Sequence, residues 1–211
     1  MIAHVYAGAR RATTLDDLVV ATDSDEVREA CARHDIPAIM TATTHPSGTD
    51  RVWEVAQTRV ADVYVNIQGD EPMISPGHID ALVRPFHERP DTQVATLKIR
   101  ATDDEAASRT VNKVVCDLEG RALYFSKWAV PFDRDNRGAI RYKHVGLYAY
   151  RRDALLAFHR WPPSPLEVLE GLEQLRFLEH GVPIVVRETT EATIGVDTEE
   201  DLRAVEARFR P

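Results

Sequence analysis

The chain has only two cysteines in 211 residues, Cys31 and Cys116, far apart and each in an apolar context. They read as small core residues, which excludes a disulfide framework and a zinc-finger module. No run of about 18 apolar residues occurs, so no segment qualifies as a membrane-spanning helix, and no signal peptide opens the chain. Lysine is scarce, confined to Lys98, Lys113, Lys127 and Lys143, so nearly all positive charge is arginine, as GC-rich coding alone would produce. Bases are outnumbered 34 to 26, and the net charge of −8 argues against bulk electrostatic capture of nucleic acid. There is no GxGxxG, no Walker A lysine, no zinc-ligand spacing and no Ser-His-Asp order. What remains is a 44% hydrophobic chain, long enough to bury a core without staples. It reads as an acidic, soluble, cytoplasmic α/β protein over residues 1–211 as one domain.

Short β-branched runs alternate with amphipathic stretches, which predicts βα units and a doubly wound, mostly parallel sheet. Strands are expected at Leu18–Ala21, Pro37–Met40, Asp62–Ile67, Val94–Ile99, Tyr142–Tyr150 and Ile184–Val186. Helices are expected at Asp25–Arg33, near Thr49–Thr58, around Pro76–Glu88, at Thr198–Arg208, and as one long helix from Ser164-Pro165 through Glu179. Between Val111 and Tyr124 two short strands flank the turn Leu118-Glu119-Gly120, and 111–150 stands out as a hairpin-rich subregion. Residues 1–12 read as a helix, whereas a doubly wound fold normally begins with a central strand and a phosphate-cradling loop.

The richest chemistry lies in Val65–Ile74, VNIQGDEPMI, where the most apolar strand runs into Gln68, Gly69, Asp70 and Glu71. Ligands of open α/β sheets bind beyond the carboxyl ends of strands. An aspartate there suits Mg²⁺, which takes one or two carboxylates plus substrate phosphates; the same residues also suit an ordinary solvated turn. Asp197, in TIGVDTEED, is a second acid of this kind, although taken alone it reads as a helix cap. His45–Arg51, HPSGTDR, opens a helix with Ser47, Gly48, Thr49 and Arg51, a place for an anion or a polar base edge, or simply an N-cap. Lys113, Lys127, Lys143 and His144 belong to a basic middle segment suited to a charged sugar, or to solvated strand edges.

Seven segments in order carry a resemblance: VVATDSDEV, HPSGTDR, VNIQGDEPMI, KVV with ALYFSKWAVPFDRD, KHVGLYAYRR, WPPSPLEVLEGLEQLRFLEHG and GVDTEEDL. The chain resembles the 3-deoxy-manno-octulosonate (Kdo) cytidylyltransferases, the CMP-Kdo synthetases, along essentially its whole length. That resemblance implies a nucleotidyltransferase of the Gram-negative cytoplasm, usually a homodimer. It would use Mg²⁺ and CTP to activate Kdo as CMP-Kdo, with release of pyrophosphate, for lipopolysaccharide synthesis. It implies Asp70 and Asp197 as the metal pair, Gln68 on the sugar, and Ser47, Gly48, Thr49 and Arg51 in the cytidine pocket. Lys113, Lys127, His144, Tyr148, Glu170, Glu173 and Gln174 would form the Kdo pocket, and Leu123–Phe132 would pair two subunits. The family pattern has arginine where Lys127 stands and an acid where Thr44 stands. Family members open with a strand and an arginine/lysine loop, AR-x-x-S-T-R-L-x-x-K-x-L. This chain starts about 30 residues, one βα unit, later, which would leave a central strand slot open as a pairing edge. A catalytically impaired or binding-only relative, and an enzyme for the 8-amino analogue of Kdo, are the alternative readings.

Overall fold

The computed structural model describes residues 1–196 and 198–209. Helix α1 (Ile2–Ala9) comes first, then β1 (Val20–Thr22), α2 (Asp25–Arg33), β2 (Ala38–Met40), α3 (Gly48–Thr58) and β3 (Val63–Asn66). They are followed by α4 (Pro76–Glu88), β4 (Val94–Arg100), α5 (Asp103–Ala107), β5 (Lys113–Cys116), β6 (Ala122–Ser126) and β7 (Tyr142–Arg151). The chain closes with α6 (Arg152–Arg160), α7 (Pro165–Glu170), α8 (Leu175–Glu179), β8 (Ile184–Glu188) and α9 (Glu199–Phe209).

The helix starts follow from local chemistry. Ser24, Ser47 and Ser75 each accept a bond from a backbone amide three residues on, satisfying a donor that the first helical turn leaves orphaned. At α4 the histidine at the third helical position completes a capping box, and Pro76 presets the first turn.

Strand β7 organises the larger sheet. Along one edge it pairs antiparallel with β4, and β4 pairs parallel with β8; the other edge pairs antiparallel with β3 near Tyr148 and with β5 at Lys143. Strands β3, β4 and β8 therefore run one way, and β7 runs against them. Successive β7 side chains serve opposite faces. Tyr148 and Tyr150 join Trp53, Phe158 and Phe177 in one core, while Val145, Leu147 and Ala149 join Val5, Leu82 and Phe86 in another. Two cores on two faces make this a doubly wound α/β fold. Strands β1 and β2 form a separate parallel pair. Among the described residues β1 pairs only with β2 and β3 only with β7, so each presents one edge without a strand. Helix α3 packs against both.

Most expected elements are present, including the N-terminal helix and the β5–β6 hairpin, whose Gly120 has φ 79°. The single long helix is not. It breaks into α7 and α8 because Gly171 adopts the left-handed conformation (φ 65°), which ends α7 and folds residues 171–174 into a turn. Helices α5 and α6 were not anticipated.

Candidate active site at the end of strand β3

Three segments meet beyond the carboxyl end of β3. The first is the strand exit itself. Asn66 is buried, and the 68–74 loop is held by Glu71 N–H donating to the Gln68 carbonyl (3.3 Å) and Ile74 N–H to that of Glu71 (3.1 Å). Asp70 is half-buried, and its carboxylate has no hydrogen bond or ion pair among the described residues. Its carbonyl accepts from Val196 N–H (2.9 Å), which ties the distant 189–196 segment to this loop. Asp197, the expected second metal ligand, lies outside the described residues. Among the described residues no group of three or more His, Cys, Asp or Glu side chains is placed to hold a metal ion.

The second segment is the start of α3. Ser47 Oγ accepts from Asp50 N–H (3.2 Å) and donates to Asp50 Oδ2 (2.9 Å). Gly48 lets the helix approach β3: a Cβ there would lie 3.3 Å from Gln68 Nε2 and 3.6 Å from Asn66 Nδ2. Arg51 donates to Thr41 Oγ1 and to Asp23 Oδ2 (3.1 Å), holding the ends of β1 and β2. The Arg51 guanidinium is also what chiefly holds the Asp23 carboxyl below its ordinary range. Beside it His45 bonds Glu54, which also accepts from Ala42 N–H (3.0 Å).

The third segment is the turn from α7 to α8 with the face of β7 beneath it. Thr49 Oγ1 donates to Glu173 Oε1 (2.7 Å), joining the second segment to the third. Burial raises the Glu173 carboxyl; the Thr49 hydroxyl and the charge of Arg176 pull against that. The rings of His144, Tyr148 and Tyr150 stand in a row, with centroids 5.2 and 5.7 Å apart. Burial pushes the His144 imidazole down to about 3, so it is neutral at neutral pH. Among the described residues three buried polar atoms here lack a hydrogen bond of good geometry: Asn66 Nδ2, Tyr148 Oη and Gln174 Nε2, although the Asn66 amide still acts on the Tyr150 hydroxyl. A buried polar group without a partner costs roughly 1–3 kcal/mol. Three of them around one contact mark a place that a polar ligand completes.

Two expected contacts are already engaged by the protein itself. Lys113 is fully buried and donates to the carbonyls of Ser108 (2.5 Å), Val111 (2.6 Å) and Lys127 (2.6 Å). All three ammonium hydrogens are committed, so Lys113 is a structural staple and not a sugar contact. Glu170 likewise spends both oxygens inside the protein, accepting from Ser126 Oγ (2.8 Å), Tyr124 Oη (3.3 Å) and Lys127 N–H (3.0 Å). It ties the end of β6 to the 171–174 turn. Arg51 is anchored as described. Lys127 is exposed; its ammonium makes no hydrogen bond or ion pair among the described residues, although its charge helps to hold the Glu170 carboxyl down, and its Nζ lies 3.4 Å from where a Cβ on Gly171 would be. It remains available to an anion.

Sequence reasoning missed Asn66, Thr96 and Tyr150. Asn66 and Thr96 each interrupt an apolar strand with a polar side chain on a buried face, and that interruption was the available signal. A hollow of about 410 Å³ between α1, residues 72–75 and α9 contains none of the expected site side chains.

A family model described as cytidylyltransferase matches residues 1–188. The chain is 54% identical, over 98% of its own length and 84% of the relative's, to 3-deoxy-manno-octulosonate cytidylyltransferase of Acidobacterium capsulatum. It is 53% identical over its whole length, and 80% of the relative's, to the protein of that name from Koribacter versatilis. The solved structure of a CMP:2-keto-3-deoxy-manno-octonic acid synthetase complexed with CTP matches with a TM-score of 0.95 and 42% identity. That match covers 99% of this chain and 86% of that one.

Proposed function

The chain belongs to the 3-deoxy-manno-octulosonate cytidylyltransferase family, and from that premise we propose that it joins CTP to Kdo through the site at the end of β3. The 2-hydroxyl oxygen of Kdo bonds to the α-phosphorus of CTP, the α–β phosphoanhydride bond breaks, and pyrophosphate leaves as the hydroxyl proton is lost. CMP-Kdo then serves lipopolysaccharide synthesis in the cytoplasm. The observation that carries this reading is the set of orphaned atoms, Asn66 Nδ2, Tyr148 Oη and Gln174 Nε2, around the Thr49–Glu173 contact. A hydroxyl-rich acid supplies both donors and acceptors to such groups.

Gly48 gives the nucleotide a close approach to the start of α3, where Ser47 and Thr49 offer hydroxyls. Gln68 reaches the space between nucleotide and sugar, and Lys127 faces the carboxylate of Kdo. A lysine there gives charge without the bidentate geometry of arginine. The carboxylate of Asp70, half-buried and without a hydrogen bond or ion pair among the described residues, fits a Mg²⁺ ligand, with Asp197 as its companion. When bound, Mg²⁺ neutralises triphosphate charge as pyrophosphate departs. The protein's own share is alignment of the attacking oxygen.

Residues 1–211 act as one nucleotidyltransferase domain, and 111–150 contributes both the sugar wall and a subunit contact. Within that segment Leu123, Trp128 and Phe132 are 62%, 57% and 85% exposed, apolar side chains that a second copy would cover. Light scattering at micromolar concentration should give twice the mass of one chain, and Phe132→Asp should halve it. Among the described residues no helix is long and apolar enough to cross a membrane. The decisive assay mixes the protein with CTP, Kdo and Mg²⁺ and follows pyrophosphate; release no faster than in a metal-free control would refute the reading.

A further inference from the structure

This inference rests on the sugar-pocket role proposed for His144 and concerns the threonine bonded to it. Thr96 is fully buried on β4, where the β4–β7 register shifts between Thr96 and Leu97. Its Oγ1 lies 2.7 Å from the Leu147 carbonyl oxygen, 3.3 Å from that of Val145 and 2.8 Å from His144 Nε2. A hydroxyl has one hydrogen, and a carbonyl oxygen can only accept. That hydrogen must point to the β7 carbonyls, Leu147 being the nearer. Toward His144 the threonine oxygen is then an acceptor, and the imidazole has to carry its proton on Nε2.

The other ring nitrogen has no hydrogen bond among the described residues. The ring is fixed edge-on against Phe125, centroids 5.1 Å apart, and borders Tyr148, whose hydroxyl is one of the orphaned atoms. Which nitrogen of a histidine is protonated is set by the bond its partner nitrogen makes. We propose that Thr96 is a positioning residue that locks His144 in the Nε2–H tautomer, so that Nδ1 offers a bare acceptor to a hydroxyl of the sugar acid. Burial keeps the ring neutral, so no second proton arrives on Nδ1 at neutral pH. The arrangement favours a hydroxyl-bearing substrate, since the charged end of a nucleotide offers only acceptors.

Imidazole nitrogen NMR on the full ¹⁵N-labelled chain, with His144 assigned by its loss in His144→Gln, reads the tautomer directly. The expected spectrum shows a protonated Nε2 and a bare Nδ1 whose resonance moves when Kdo is added. Thr96→Val should give mixed tautomers and raise the KM for Kdo about tenfold, the loss of one neutral hydrogen bond, with the KM for CTP unchanged. Thr96→Ser should restore both. A proton on Nδ1 in the unmodified protein, an Nδ1 signal indifferent to saturating Kdo, or an unchanged tautomer in Thr96→Val would overturn the proposal. If Thr96→Val fails to fold, the native spectrum and Thr96→Ser still decide. An Nδ1 that responds to Kdo in a chain that releases no pyrophosphate would sink the transferase reading while leaving the role of Thr96 intact.

Discussion

The two walls of the proposed site beyond β3 are built on opposite principles. The wall at the start of α3 is satisfied before any ligand arrives: Ser47 bonds Asp50, Arg51 bonds Asp23 and Thr41, and His45 bonds Glu54. The wall made by β7 and the 171–174 turn is buried and aromatic, and it retains polar atoms, Tyr148 Oη and Gln174 Nε2, with no partner among the described residues. A pre-satisfied wall presents fixed backbone amides and hydroxyls to a nucleotide at little cost in reorganisation. An unsatisfied wall discriminates, because a ligand lacking the matching hydroxyls leaves the orphans unpaired. Thr49, bonded to Glu173, is the seam between them.

Asp70, in the loop at the exit of β3, is the proposed metal ligand, and its loss should produce the largest effect. Asp70→Asn should lower kcat by roughly 10³-fold, the several kcal/mol that a lost metal ligand removes from charge stabilisation; stopped assays of pyrophosphate release measure it. Next comes Lys113→Met, which would leave three buried carbonyls unpaired at about 1 kcal/mol each. Urea unfolding should show a loss of about 3 kcal/mol, with the KM values of the surviving folded fraction unchanged. A rise in the KM for Kdo alone would return Lys113 to the sugar wall.

The buried wall should also govern the acid limb of stability. His144 titrates near 3 when folded and near its ordinary 6.5 when unfolded, so between those values only the unfolded chain takes up the proton. Stability is therefore lost as pH falls below about 6.5, at up to about 1.4 kcal/mol per unit. Glu173, raised by burial, has the opposite sign: its contribution diminishes as pH climbs out of the ordinary carboxylate range. Between pH 7 and 5.5 the native chain should lose about 1 kcal/mol more than His144→Gln in urea titrations. The smallest effect belongs to the satisfied wall. Arg51→Met breaks a partly exposed pair and should leave urea stability little changed, raising the KM for CTP and not that for Kdo.

How much of this was legible depended on the range of the interaction responsible. Helix starts were readable because a serine cap and its amide lie three residues apart. The break at Gly171 was not, since PLEVLEGLEQLRFLE keeps helical spacing throughout, and the turn is fixed by Glu170 reaching Ser126 and Lys127 on another element. Lys113 misled for the same reason: a lone lysine in a strand looks like a ligand until its three carbonyl partners are seen. The strand end at Gln68–Asp70 was legible as the exit of β3, and sheet topology is what marks it as the proposed site. Asn66 and Thr96 were visible as polar residues in apolar strands, but their function depends on what β7 places opposite them.

Product analysis tests the pairing of the walls most directly. Incubated with Mg²⁺, Kdo and each nucleoside triphosphate in turn, the protein should form one CMP-Kdo per pyrophosphate from CTP and almost nothing from UTP or ATP. Equal turnover across nucleotides, or pyrophosphate released without a sugar conjugate, would contradict the division of labour assigned to α3 and β7.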